Sequence, residues 1–218
     1  MFNWNNCIRY TDPFNYIVCD DFIQNYSDDL FPNAAWANKN LLTRENKITK
    51  GISAINSLKL VEGNTKLLLE NILSQQFHDT TCHLLDIPLV GESTAIRKTN
   101  GNYRIAREAM FVENYKTQNN ILELHYDNEV TIWTGLIYFV DSNYGSFNVH
   151  DNDKNLVKKI KMKKNRLILT ENSIKCWHSV SNWLEDYPRR SIYITAEFKN
   201  FGRDEERKPI GATETWIK

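Results

Sequence analysis

Ile121-Leu122-Glu123-Leu124-His125-Tyr126, and then Thr131-Ile132-Trp133-Thr134-Gly135-Leu136-Ile137-Tyr138-Phe139-Val140, is the stretch on which the fold turns. Both runs are rich in apolar, β-branched and aromatic residues, which suit a pleated, half-buried surface. Phe147-Asn148-Val149 follows Gly145, and Val157-Lys158-Lys159-Ile160-Lys161-Met162 mixes apolar residues with Lys within the run from Leu156 to Met162. Arg166 to Leu169, Cys176 to Val180 and Ser191 to Thr195 complete the series. Short strands separated by turn residues predict a sandwich, barrel or jelly roll. The fold class is therefore mainly β, with helices outside the β core.

Towards the N-terminus the pattern is mixed. Phe14 to Val18 reads as a strand, and Phe22, Ile23, Tyr26, Leu30 and Phe31 recur near helical spacing after Asp20-Asp21. This predicts a strand feeding a short helix that ends by Pro32. Leu67, Leu68, Ile72, Leu73, Phe77, Leu84 and Leu85 predict one helix over 66–86, with Asn64 as its N-cap. One face of that helix should pack on a sheet. No repeat or low-complexity linker divides the 218 residues, so a single domain over 1–218 is expected. Within it, 1–110 reads as helical and strand support, and 111–200 as the β core.

Hydrophobic residues at 41% and charged residues at 25% fit a soluble globular chain. Lys and Arg number 27, as do Asp and Glu, leaving no net charge. Nucleic-acid binders carry a basic excess, so that class loses weight. No apolar run approaches the roughly 20 residues of a membrane helix. Met1-Phe2-Asn3-Trp4 lacks the basic-then-apolar order of a secretory signal, and a cytoplasmic location is expected. Cys7, Cys19, Cys82 and Cys176 form no C-x-x-C pair. They read as small buried hydrophobes in a reducing compartment, not as a disulfide framework or zinc site.

The five histidines are His78, His83, His125, His150 and His178. His125-Tyr126-Asp127 closes the first β run, and on a strand residues i and i+2 point the same way. Imidazole and carboxylate can then converge on one point, and His178 can supply a third ligand from a distant strand. Two histidines and one carboxylate suit Fe(II) and leave coordination positions open. H-x-D alone arises by chance in many chains; a basic pair downstream of His178 gives it weight. Arg189 and Ser191 also share a face, in Pro188-Arg189-Arg190-Ser191-Ile192. A guanidinium offers two parallel N–H groups to a carboxylate. With the Ser hydroxyl it would grip the far end of a dicarboxylic acid, such as 2-oxoglutarate, whose other end chelates the metal. If Arg190 faces inward instead, Arg190 is the clamp and Ser191 drops out; the R-x-S spacing favours Arg189.

H-x-D, then a distant His, then R-x-S resembles the Fe(II)/2-oxoglutarate-dependent dioxygenase superfamily. "HYDNEVTIWTGLIYFVDSNYGSF", "NRLILTENSIKCWHSV" and "PRRSIYITAEF" resemble its metal-ligand and arginine strands, and "FNYIVCDDFI" resembles the opening segment of prolyl-hydroxylase-like members. The match covers about Asn120 to Phe198 closely and the rest loosely. The resemblance implies a double-stranded β-helix, a jelly-roll and cupin relative. It also implies Fe(II) on His125, Asp127 and His178, with 2-oxoglutarate and O₂ as cosubstrates. Arg189 and Ser191 would clamp the 2-oxoglutarate, and Tyr115, ten residues before the first His, would touch it. The implied reaction is hydroxylation of a peptidyl, amino-acid or small-molecule substrate, with neither nucleic acid nor membrane as partner. Asp127 argues against a halogenase variant, which usually carries a small residue there. Two positions depart from the pattern: Tyr144-Gly145-Ser146 where relatives often carry Gly-Gly, and Thr170 where they often carry Phe.

Three rivals are a cupin-like metal protein with no need of Arg189, a nucleic-acid-modifying dioxygenase, and a non-catalytic module with a degenerate site. The Lys run from Lys158 to Lys164 reads as protection of an edge strand. Most of Trp133, Tyr138, Tyr144, Trp177 and Trp183 should be core. His78, Cys82 and His83 lie close on the predicted helix but lack a further ligand at metal spacing, and His150 reads as a surface residue.

Overall fold

The computed structural model describes residues 1–32, 44–45, 49–53, 62–87, 103–127, 130–200 and 213–216. The strands are β1 (Cys7–Tyr10), β2 (Tyr16–Cys19), β3 (Arg44–Glu45), β4 (Thr49–Ser53), β5 (Tyr103–Asn114), β6 (Leu122–His125) and β7 (Thr131–Tyr138). They continue with β8 (Ser142–His150), β9 (Leu156–Met162), β10 (Leu167–Glu171), β11 (His178–Val180), β12 (Arg189–Asn200) and β13 (Thr213–Trp216). Helices α1 (Gly63–Ile72) and α2 (Gln75–Leu85) lie between β4 and β5.

All strand pairs among the described residues are antiparallel. The larger sheet runs β1-β2-β10-β7-β12-β5-β4-β3, with β13 also on β5; the smaller runs β6-β11-β8-β9. Strand alternation sorts the side chains between two cores. Ile17, Ile137, Leu167, Leu169, Ile192 and Ile194 pack with Leu68, Leu69, Ile72, Phe77 and Leu85 of the helices. Their neighbours Tyr16, Tyr138 and Ile168 join Phe147, Val149, Ile160 and Val180 of the smaller sheet. The order is thus helices, larger sheet, smaller sheet. Each fully buried Leu, Ile or Phe contributes about 1.5–3 kcal/mol. This is the expected jelly-roll class.

Several local expectations are corrected. Two helices replace the single one over 66–86. The Ser74 hydroxyl donates to Asn71 O at 2.7 Å and accepts from Phe77 N–H at 3.1 Å, closing α1 and capping α2. The apolar period survives this break, so the sequence looks continuous across it. No α-helix forms over 20–32; Asp21 and Asn25 take φ of 51° and 54°, which interrupts any helical run, and only a 3-10 turn, Asp28–Leu30, remains. The expectation of four unpaired cysteines fails for Cys7 and Cys19. Antiparallel pairing sets them opposite each other, and they form a disulfide. Cys82 and Cys176 are buried free thiols. The sequence pattern does not reveal β5, which crosses residue 110 and pairs with β12 from Tyr103 to Asn114.

His78 has its own partner. It is buried, and its Nδ1 accepts from the Trp133 indole N–H at 3.1 Å. Burial pushes its pKa down to about 4, consistent with a neutral acceptor. β9 stands at the edge of the smaller sheet, where Lys158 Nζ sits 3.5 Å from the Tyr10 ring centre. Trp133, Tyr138 and Trp183 are core, whereas Tyr144 is exposed. Among the described residues no helix is long and apolar enough to cross a membrane.

Candidate metal centre

β6 ends at His125 and β11 begins at His178, and antiparallel pairing sets these two residues opposite each other. Their ring centres are 4.3 Å apart. Asp127 follows two residues beyond His125 and places Oδ1 3.6 Å from His125 Nε2. Ligand atoms of His125, Asp127 and His178 all lie within 4.8 Å of one another. Local main chain orients both rings. His125 Nδ1 lies 2.7 Å from Glu123 O, and His178 Nδ1 lies 2.9 Å from Cys176 O. A carbonyl only accepts, so each Nδ1 carries the proton and each Nε2 keeps a lone pair for a metal. The Thr134 hydroxyl donates to Asp127 Oδ2 at 3.0 Å.

The electrostatics of the three groups interlock. The Asp127 carboxylate raises the His125 pKa above the ordinary imidazole value, against the opposing effect of burial. Burial lowers that of His178. Burial alone would raise Asp127, but its bond with His125 and the charges and donors around it hold it below the usual carboxylate range. A carboxylate beside two imidazoles is a donor set that fits Fe(II).

These groups open on a cavity of about 320 Å³ between the sheets. The larger sheet lines it with Asn114, Thr134, Thr170, Arg189, Ser191 and Tyr193, and the smaller with Phe147 and Val180. Arg189 is only 3% exposed. Its Nη1 donates to Asn114 Oδ1 at 2.7 Å, and its Nη2 to the Tyr138 hydroxyl at 3.4 Å. Asn114 in turn donates to Thr49 Oγ1 at 3.0 Å. Both of these partners of Arg189 are neutral, and among the described residues its Nε finds no hydrogen bond; nor does the fully buried Ser191 hydroxyl. A buried cation with an orphaned donor, beside an orphaned hydroxyl, is a cradle that fits a ligand carboxylate.

Arg190 faces the other way. Its Nε donates to Glu113 at 2.8 Å and its guanidinium lies over Phe31 in the helix-side core. The alternation therefore turns Arg189, not Arg190, into the cavity. Tyr115 is not brought there: its hydroxyl donates to Glu113 Oε2 at 2.7 Å, and it does not line the cavity. Sequence reasoning misses Asn114, Thr49 and Tyr138 around Arg189, and Thr134 and Thr170 beside Asp127. Only the cross-strand register links them to the site.

Comparison with protein-family models yields no match, and neither does comparison with curated proteins. Solved structures do match. A prolyl 4-hydroxylase from Phytophthora capsici superposes with a TM-score of 0.58 at 15% identity, over 88% of this chain and 62% of that one. This chain thus spans less than two thirds of that relative's length. A non-heme alpha ketoglutarate dependent epimerase from nogalamycin biosynthesis gives a TM-score of 0.58 at 10% identity, over 93% of this chain and 88% of that one. An oxidoreductase of the 2OG-Fe(II) oxygenase family from Burkholderia pseudomallei gives 0.50 at 11% identity, over 84% of each chain. The two-sheet architecture around the cavity is therefore the double-stranded β-helix fold that these structures share.

Proposed function

We propose that this chain is an Fe(II)- and 2-oxoglutarate-dependent dioxygenase that hydroxylates a peptidyl, amino-acid or small-molecule substrate. One observation carries the reading. Three metal-ligating groups and a buried arginine whose two hydrogen-bond partners among the described residues are neutral open on the same cavity. His125, Asp127 and His178 would hold Fe(II). Three protein ligands leave half of an octahedron for other groups. Arg189 and Ser191 would hold the far carboxylate of 2-oxoglutarate. When bound, the iron with 2-oxoglutarate and O₂ supplies the oxidation of a substrate C–H bond.

The chain's own residues do the rest. The Glu123 and Cys176 carbonyls fix the ring orientations and the tautomer with the proton on Nδ1, so that Nε2 is the nitrogen turned to a metal. Asn114 and Tyr138 hold the Arg189 guanidinium in place before any ligand arrives, which lowers the ordering cost of binding. Met110, Val112, Leu136 and Ile168 give the cavity an apolar wall that excludes water. A cupin-like metal protein would have no use for an orphaned guanidinium and hydroxyl, so Arg189 and Ser191 favour the oxygenase. Zero net charge weighs against a nucleic-acid substrate.

The test is anaerobic loading with Fe(II) and 2-oxoglutarate, admission of O₂, and measurement of succinate against panels of peptides and free metabolites. Succinate release that is lost in His125→Ala and Asp127→Ala, and that demands far more 2-oxoglutarate in Arg189→Met, is the expected result. Substantial 2-oxoglutarate turnover in the His125 and Asp127 variants overturns the ligand assignment.

A further inference from the structure

Asp127 is held by a chain of buried hydroxyls. Thr134 Oγ1 lies 3.0 Å from Asp127 Oδ2, and Thr170 Oγ1 lies 2.8 Å from Thr134 Oγ1. Thr134 is 7% exposed and Thr170 2%. They sit opposite each other on the paired strands β7 and β10, so the larger sheet itself fixes their contact. The direction of the protons is set by the carboxylate, which can only accept. Thr134 has one proton and commits it to Asp127. Its oxygen is left to accept, so Thr170 donates to it.

This arrangement treats the two carboxylate oxygens differently. Oδ2 is engaged by Thr134, on the larger sheet, while Oδ1 faces His125 Nε2. Asp127 lies just past the end of the smaller sheet's edge strand, and the hydroxyl chain is what links its head group to the rigid larger sheet. We propose that Thr134, braced by Thr170, is a positioning residue that keeps Asp127 turned with Oδ1 towards the two histidines for metal binding. The inference rests on reading these three residues as metal ligands. Thr170 is one of the two positions at which this chain departs from the pattern it resembles, so the brace is not part of that resemblance.

The test uses the full chain stripped of metal, with Mn(II) as an air-stable probe. Calorimetric titration gives the affinity, and the melting temperature of the metal-free protein reports on folding. Partners that orient metal ligands are worth about 10–100-fold in affinity. Thr134→Val, which keeps the shape and removes the hydroxyl, should bind Mn(II) at least about tenfold more weakly. Thr134→Ser, which restores the hydroxyl, should bind within about twofold of the unaltered chain, and Thr170→Val should lose an intermediate factor. The melting temperature of metal-free Thr134→Ser and Thr170→Val should stay close to that of the unaltered chain. A Thr134→Val protein that binds Mn(II) as tightly as the unaltered chain overturns the proposal. If Thr134→Val does not fold, Thr170→Val decides: weakened binding supports the brace, and unchanged binding overturns it. An unaltered chain that binds no Mn(II) overturns the metal reading itself, a result distinct from tight binding that is indifferent to Thr134.

Discussion

Gly145 shows how closely the Arg189 guanidinium is packed. Its φ is +63°, and a Cβ added there would lie 3.0 Å from Arg189 Cδ, 3.0 Å from the Trp183 ring and 3.3 Å from Arg189 Nε. An L side chain in this left-handed conformation costs about 1–2 kcal/mol. The new methyl would also push on the arginine stem. Gly145→Ala should therefore lower the urea midpoint by an amount equivalent to about 1–2 kcal/mol. It should weaken 2-oxoglutarate binding to the Mn(II)-loaded chain while leaving Mn(II) affinity unchanged. Undiminished 2-oxoglutarate affinity would show that the guanidinium does not depend on this glycine. The residues legible in the sequence are those linked by short spacings. His125 with Asp127, and Arg189 with Ser191, share a face whatever strands they pair with. Asn114 and Tyr138 reach Arg189, and Thr170 reaches Thr134, only through cross-strand register. That register depends on the whole sheet. Tyr115 is singled out by counting back along the chain, and counting takes no account of the end of β5 at Asn114, just before it, or of its bond to Glu113.

At the scale of elements, two carboxylates anchor the N-terminal segment to the turn between β9 and β10. Asp20 accepts from Arg166 and from Lys163 at 3.2 Å, and Asp28 accepts from Lys164 at 2.9 Å. The Arg166 guanidinium holds the Asp20 pKa below the usual carboxylate value, and Lys164 does the same for Asp28. These directions fix the sign of the pH effect. A depressed folded pKa means that the stabilisation is fully present above the unfolded value, about 4 for Asp, and is lost as pH falls through the folded value. Asp20 is partly exposed, so solvent screening keeps its pair near 1 kcal/mol or below. Asp20→Asn should thus be slightly less stable at neutral pH, and its denaturation midpoint should fall less steeply on acidification below about pH 4. An acid limb as steep as that of the unaltered chain would remove Asp20 from the account. The strands from Leu122 to Thr195 are readable because they are short runs of apolar and β-branched residues between turn residues, and β7 and β10, buried on both faces, are almost continuously apolar or β-branched. The break at Ser74 is not, because the apolar period runs through it. Nor is β5, whose Tyr103 to Asn114 includes Arg107, Glu108 and Glu113 on a strand made regular by pairing with β12 on one side and β4 and β13 on the other.

At the scale of the molecule, the site spans the two sheets. His125 and His178 belong to the smaller sheet, while Arg189, Ser191 and Asn114 belong to the larger. A metal alone ties together residues around β6 and β11. A metal carrying a dicarboxylate held by Arg189 would link one sheet to the other, so the two ligands should stabilise the fold cooperatively. A ligand at a hundred times its dissociation constant adds about 2.7 kcal/mol. In a chain of this size that corresponds to a rise in Tm of about 5–10 °C. Mn(II) with 2-oxoglutarate should raise Tm by more than the separate increments of the two. In Arg189→Lys the increment from Mn(II) should persist while the extra rise from 2-oxoglutarate largely disappears, because an ammonium cannot reproduce the paired guanidinium donors. Simple additivity in the unaltered chain would mean that the two ligands do not share the cavity. An undiminished extra rise in Arg189→Lys would mean that the dicarboxylate bridges the sheets through some other group.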